Sequence, residues 1–203
     1  MTAGQITFVC RMVAAAVKVE PSSGRPPDQA RILTMMAVAQ GCLEAATIPK
    51  PDGSGGWGTS TLYVQANNPF GIKFSQHDAD YGFFDAPTWE VINGQKENCM
   101  AEFQRYPSLD VAIAEHQALL LHRPCVVAAL AVGFEAVADA LGPWTPGDIA
   151  KMKALPPQAP DHANYSTSPT YPATLKTLAN QLRLADPRAV QWWATGADPA
   201  LKP

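Results

Sequence analysis

The stretch "ILTMMAVAQGCLEAA", Ile32 to Ala46, is apolar at nearly every position, and Glu44 is its one charged residue. A helix that is apolar all round is a helix buried on all sides. Before it, Gln5 to Val19 is mostly apolar and reads as a first helix, closed by the turn formers of "EPSSGRPPDQ". Pro26 and Pro27, followed by Asp28, mark the start of the second helix and put an acid in its positive first turn. A short helix is expected from about Thr59 to Gln65, and "ANNPFGIKF" reads as a tight turn that leads into an extended segment.

From Asp80 to Phe103 the pattern changes. The segment is rich in aromatics, and Asn93-Gly94 is a hairpin signal between two strand-like runs. Helical periodicity returns after Ser108, a capping residue, with Val111, Ile113, Ala114, Leu119 and Leu120 as apolar positions. "PCVVAALAVGFEAVADALG" reads as two short helices broken near Gly133. A proline-rich stretch from Pro143 to Pro160 reads as a loop with a helical turn near Ile149. The last helix carries Leu175, Leu178 and Leu182, and "PRAVQWWATGADPALKP" reads as a tail whose Trp192-Trp193 pair docks on the body. Helices, a small β insert and further helices predict an α+β fold, a mainly helical body with a small antiparallel β lobe flanking a cleft.

Composition changes this picture little. The chain of 203 residues is 47% hydrophobic and 16% charged, enough to bury a core without a metal or disulfide staple. A net charge of −3, with no run of Lys and Arg, argues against a nucleic-acid partner. The N-terminus lacks the basic start and unbroken apolar block of a signal peptide, and no stretch is long enough to span a bilayer. The expectation is a chain made in the cytoplasm and exported, if at all, by a route that needs no such signal. Cys10, Cys42, Cys99 and Cys125 form no CxxC pair. Four cysteines allow two bridges, but Cys10, Cys42 and Cys125 sit in helix-like apolar surroundings and read as free, small core residues. The four histidines do not cluster at ligand spacing, so no metal is expected.

The chemistry centres on Glu44. Burying a carboxylate costs several kcal/mol unless it is paired or takes up a proton. An arginine partner in the core, or a position at the fraying helix end in water, would relieve that cost. Otherwise the pKa rises, and a protonated carboxyl can serve as general acid. Glu90, in "TWEVING" on the expected hairpin, is the candidate second carboxylate, as base or as stabiliser of an oxocarbenium-like transition state. Trp57, Phe70, Trp89 and Tyr106 offer stacking faces for sugars, while Asn67, Asn68 and the backbone around Gly71 offer hydrogen bonds to acetamido groups. Equally, such aromatics build cores, and Asn-Asn-Pro is a turn signal in its own right.

Taken in order, "AVAQGCLE", "GWGTS", "ANNPFGIK", "TWEVINGQ" and "EFQRYPSLDVAIAEHQALL" resemble the endo-β-N-acetylglucosaminidase domains of glycoside hydrolase family 73, the flagellar-rod muralytic type. The family pattern runs AQ-x-x-LES-GWG, NN-x-FG-K, T-x-E, then a helix and a YATDP-x-Y-like stretch, for which "NYSTSPTYP" stands here. The resemblance implies a lysozyme-like domain over residues 1–185 with a tail over 186–203. It implies Glu44 as catalytic acid, Glu90 as second acid and Tyr165 as a helper. It also assigns Trp57, Asn68, Phe70 and Gly71 to the groove wall, beside Trp89 and Tyr106. The implied substrate is the peptidoglycan glycan strand, cut after N-acetylglucosamine and without a cofactor. A muramidase or lytic transglycosylase on the same fold, or a non-catalytic glycan-binding module, are the alternatives.

The sequence departs from the family pattern at three places. "ATIPKPDGSG" separates LE from GWG, Ser168 replaces the aspartate of YATD, and the proline-rich insert is unusual. With no targeting module in view, these insertions point to an antibacterial effector of the type VI secretion kind rather than a phage lysin. Such an effector acts on the wall of a target cell and is held in check by an immunity protein that occludes the cleft.

Overall fold

The computed structural model describes residues 1–48, 55–75, 81–92, 95–143, 165–166, 168–184 and 186–195. The side chains of 89–92, 95 and 96, whose backbone is strand, and of 187, 192, 194 and 195, whose backbone is helix, are outside that description, so the docking expected of Trp192 lies outside it too. Eight α-helices and one hairpin are described: α1 (Ala3–Val19), α2 (Pro27–Glu44), α3 (Thr61–Ala66), β1 (Phe83–Ile92), β2 (Gln95–Gln104), α4 (Leu109–Leu121), α5 (Pro124–Leu130), α6 (Phe134–Ala140), α7 (Tyr171–Gln181) and α8 (Pro187–Thr195). The expected mainly helical body with a small antiparallel sheet is what the chain forms. The helical turn read near Ile149 lies outside the described residues.

Helix α2 is the axis of the body. Pro27 opens it at the first position, where a missing N–H costs nothing. Leu33 through Cys42 are all buried, because α1, α4, α6 and α7 pack around them. Gly41 belongs to this packing: a Cβ there would strike Met12 of α1. A capping box at Thr2 and Gln5 starts α1. No described helix is long and apolar enough to cross a membrane, and all four cysteines are free thiols.

Helix α4 turns a different face inward from the one its apolar letters mark. Ile113, His116, Gln117 and Leu120 are buried at i, i+3, i+4 and i+7, while Ala114 and Leu119 are exposed. Ser108 stands at the N-cap, yet its side chain makes no capping bond. The segment read as a tail carries α8. Trp193 is buried there and donates from Nε1 to the Leu182 carbonyl at 2.8 Å, and α8 packs along α1.

Strands β1 and β2 pair antiparallel from Phe83↔Gln104 to Ile92↔Gln95, the expected hairpin, whereas Asn93-Gly94 lies outside the described residues. The extended segment after Gly71 lies along β2: Gln104 N–H donates to Ile72 O at 2.9 Å, and Phe74 N–H to Glu102 O at 3.0 Å. Tyr106 N–H donates to Ala66 O at 2.9 Å, joining the end of the hairpin to α3.

Candidate active site

Glu44 is the last residue of α2. Its carboxylate Oε1 accepts a hydrogen bond from the Tyr171 hydroxyl at 2.8 Å, and that hydroxyl accepts one from Gln40 Nε2 at 2.9 Å. Gln40 lies one helical turn before Glu44 on the same face of α2, and Tyr171, at the start of α7, fits against both. The partner of Glu44 is therefore a phenol and not an arginine.

The expectation of an acid starved of water needs correction, because Glu44 is an exposed residue. Protein nonetheless surrounds the carboxyl on its other sides. Burial pushes its pKa above the ordinary carboxylate range, and the Tyr171 bond pulls the other way. The two observations answer different questions. Surface area records the one open side through which a ligand can enter, whereas the proton responds to all the water that is missing around it. An acid that is reachable and yet easily protonated suits proton donation better than a sealed one would.

The tyrosines complete this corner. Tyr165 lies 5.8 Å from Tyr171 between ring centroids and edge-on to His116 at 6.5 Å. The Arg123 guanidinium sits 5.4 Å over its ring. Burial, and then the charge of Glu44, raise the pKa of Tyr165. Burial, then Tyr165 and Glu44, raise that of Tyr171. Both stay neutral phenols with a hydrogen to give. Tyr165 is tied by side-chain hydrogen bonds to Tyr171 and Gln40, while Tyr171 makes the bond to Glu44. Tyr171 is the residue that sequence reasoning passed over, although it is the final tyrosine of the YATDP-x-Y-like stretch.

The stretch inserted between Glu44 and Trp57 is closed at its base. Thr47 and Gly56 exchange both backbone bonds, at 3.1 and 2.9 Å. Thr59 and Ser60 N–H groups donate to Ala45 O at 3.1 Å each. Thr59 Oγ1 donates to Gly56 O, so the Thr47 hydroxyl donates to Thr59. Gly58 sits at φ 72°, and a Cβ on it would collide with the Phe8 ring. These contacts hold half-buried Trp57 beside the end of α2.

The other expected groove residues divide. Asn68 is fully buried, and its amide is used up: Nδ2 donates to Ile72 O and Gln104 O at 2.8 Å each, and Oδ1 accepts from Ile72 N–H at 3.1 Å. Phe70 is buried and stacked on His116 at 3.8 Å. Tyr106 is buried as well, and its carbonyl accepts from Asn67 Nδ2 at 3.0 Å. Gly71 supplies a left-handed turn at φ 65°. Asn68, Phe70 and Tyr106 therefore join the hairpin to the body and do not line a groove, since no side-chain surface is left for a sugar.

Glu90 lies on β1 opposite Glu97. Its side chain, and that of Trp89, fall outside the described ones. Along the described part of β1, Phe84, Ala86 and Thr88 are less exposed than Phe83, Asp85 and Pro87. A hollow of about 630 Å³ borders the strand here, lined among the described residues by Pro87, Thr88, Asn98, Cys99 and Met100. Glu44 is not among its described lining residues. Among the described residues no cluster of three or more His, Cys, Asp or Glu could hold a metal ion. Burial pushes the Cys42 thiol up to about 12, which makes it inert as a nucleophile.

Residues 28–184 match a family described as glucosaminidase, mannosyl-glycoprotein endo-β-N-acetylglucosaminidase. No curated protein matches the chain. Among solved structures, a peptidoglycan hydrolase mutant from Sphingomonas sp. A1 is 22% identical with TM-score 0.54, over 92% of this chain and 98% of that one. The catalytic domain of the autolysin Auto from Listeria monocytogenes is 21% identical with TM-score 0.60, over 91% and 87%. A C-terminally truncated glycoside hydrolase domain of Salmonella typhimurium FlgJ is 23% identical with TM-score 0.51, over 88% and 97%. At these identities the likeness is one of fold.

Proposed function

The chain belongs to the glucosaminidase family and is a glycoside hydrolase; from that premise we propose that it cuts the glycan strand of peptidoglycan after N-acetylglucosamine, with Glu44 as the general acid. The observation that carries the reading is the Glu44 carboxyl: reachable from solvent, raised in pKa by its surroundings, and held by Tyr171 at the end of a buried helix. The peptidoglycan substrate rests on the neighbours of like fold, two of which are described as peptidoglycan hydrolases or autolysins.

In the reaction Glu44 gives its proton to the glycosidic oxygen as the C1–O bond breaks. Water then adds to C1 and restores the proton balance. Glu90 takes the water's proton in an inverting path, or stabilises the cation while the acetamido group attacks. Carboxyl separations of about 6.5–9.5 Å and about 5–5.5 Å mark inverting and retaining enzymes respectively, and the anomer released first distinguishes the paths.

The test is a digest of purified peptidoglycan by wild type and Glu44→Gln, with fragments read by mass spectrometry. N-acetylglucosamine at the new reducing ends supports the reading. N-acetylmuramic acid ends, or anhydro ends, assign a muramidase or a lytic transglycosylase. Pull-down of wall without any cleavage assigns a glycan-binding module.

The same proposal includes an antibacterial role, with an immunity protein seated over the Glu44 corner. Its support is the insertion itself, which starts and ends at the bonded pair Thr47 and Gly56, just after the end of α2. Directed to the periplasm of a Gram-negative host, the enzyme is expected to lyse it, and Glu44→Gln is expected to be harmless. Survival of cells making active wild type there would remove this role.

A further inference from the structure

Gln40 is completely buried one turn before the end of α2. A primary amide in such a place is costly unless it is bonded. Only half of this one is: Nε2 donates to the Tyr171 hydroxyl oxygen at 2.9 Å, while Oε1 has no partner. A residue kept for packing would more simply be Leu or Met. What the amide adds is a polar hold on two phenols: its N–H reaches the Tyr171 oxygen, and a side-chain hydrogen bond links it to Tyr165.

That N–H has a consequence. A phenol has a single hydrogen to donate. With an amide hydrogen already on its oxygen, the Tyr171 hydrogen is turned away from Gln40, and Glu44 Oε1 lies 2.8 Å away to receive it. Were the amide reversed, its oxygen would compete with Glu44 for the same hydrogen. Tyr165 also bears on this hydrogen, because side-chain hydrogen bonds link it to Tyr171 and to Gln40, so the amide bears on both phenols. Arg123 sits over the Tyr165 ring, and His116 meets it edge-on.

We propose that Gln40 is a positioning residue of the hydrolysis: its amide commits the Tyr171 hydrogen to Glu44 Oε1, so that Oε2 is the oxygen that carries the proton to the glycosidic bond. The inference rests on the reading of Glu44 as the acid. Gln40 itself touches no substrate and acts through Tyr171.

The test compares wild type, Gln40→Met, Gln40→Glu, Tyr171→Phe, the double variant Gln40→Met/Tyr171→Phe, and Glu44→Gln. Each is measured for kcat and KM across pH on purified peptidoglycan fragments, with melting temperature alongside. Gln40→Met keeps volume and removes the donor. Its kcat is expected to fall about tenfold, the worth of one charge-assisted hydrogen bond, with KM unchanged. The alkaline limb of its profile is expected to move up, because the carboxylate has lost support. Gln40→Glu keeps the shape, takes the Tyr171 hydrogen for itself and adds a charge, so its limb is expected to move further. Adding Gln40→Met to Tyr171→Phe is expected to cost nothing more.

A purely structural role would lower melting temperature without moving the limb. Wild-type kcat and profile in Gln40→Met, or full additivity in the double variant, would overturn the inference while leaving the Glu44 reading in place. Activity in Glu44→Gln would overturn that reading itself. If Gln40→Met does not fold, Gln40→Glu decides by the same limb, and an unmoved limb there is equally fatal.

Discussion

The end of α2 that carries Glu44 and the hairpin that carries Glu90 are supported in different ways. Helix α2 is enclosed by α1, α4, α6 and α7, and its buried face runs without a break from Leu33 to Cys42. The hairpin has two strands, and a lone two-stranded hairpin is marginal in water. Its position depends on a joint built from Asn68, Phe70, Ile72, Gln104 and Tyr106, where one amide ties three backbone groups and one ring stacks on a histidine. The comparison teaches that one acid is placed by packing and the other by a few directional bonds. Changes in the joint should then disturb the second acid and leave the first in place.

The largest effect tests the body. Glu44→Gln should lower turnover on purified peptidoglycan by about 10³-fold with its circular dichroism unchanged. It should also make the protein more stable at neutral pH. A carboxyl with a raised pKa binds its proton more tightly when folded, so stability is lost as pH rises from the ordinary carboxylate value to the raised one. Glu44→Gln should abolish that loss, as melting curves at pH 4 and pH 7 would reveal.

Gly58→Val tests the loop that is bonded to the end of α2. It combines a positive φ with a collision against Phe8 and should cost about 3 kcal/mol in urea unfolding. An unchanged midpoint would mean that the loop is not pinned to α1.

Acid tests the joint. His116 is fully buried, and burial pushes its pKa down to about 3. Its neutral form is the folded one, so stability present above about 6.5 should fall as pH drops toward 3, by up to a few kcal/mol. His116→Leu should flatten that fall. Asn68→Ala is the mildest and most local change, about 2 kcal/mol for the bonds it removes. Hydrogen exchange should then quicken in β1 and β2 while α2 stays protected. Equal loss in both regions would erase the distinction between them.

Where the sequence was legible, it was so for a physical reason. A helix with no polar face has to be central, and Asn93-Gly94 between two runs of strand formers has to be a hairpin. The family pattern led to Glu44 and to the corner around it. The joint was misread because a sugar groove and a tight junction use the same letters: Asn68 bonds backbone as readily as an acetamido group, and Phe70 stacks on His116 as it would on a pyranose. Helix α4 was misread because an apolar count overlooks a buried histidine and glutamine. Tyr171 was missed because its partner lies 127 residues away, and spacing along a chain carries no trace of such a meeting.

The bridge between Thr47 and Gly56 makes the chain between them a cassette. Because its two ends are bonded to each other, its contents can be exchanged or enlarged while Glu44 and Trp57 keep their separation.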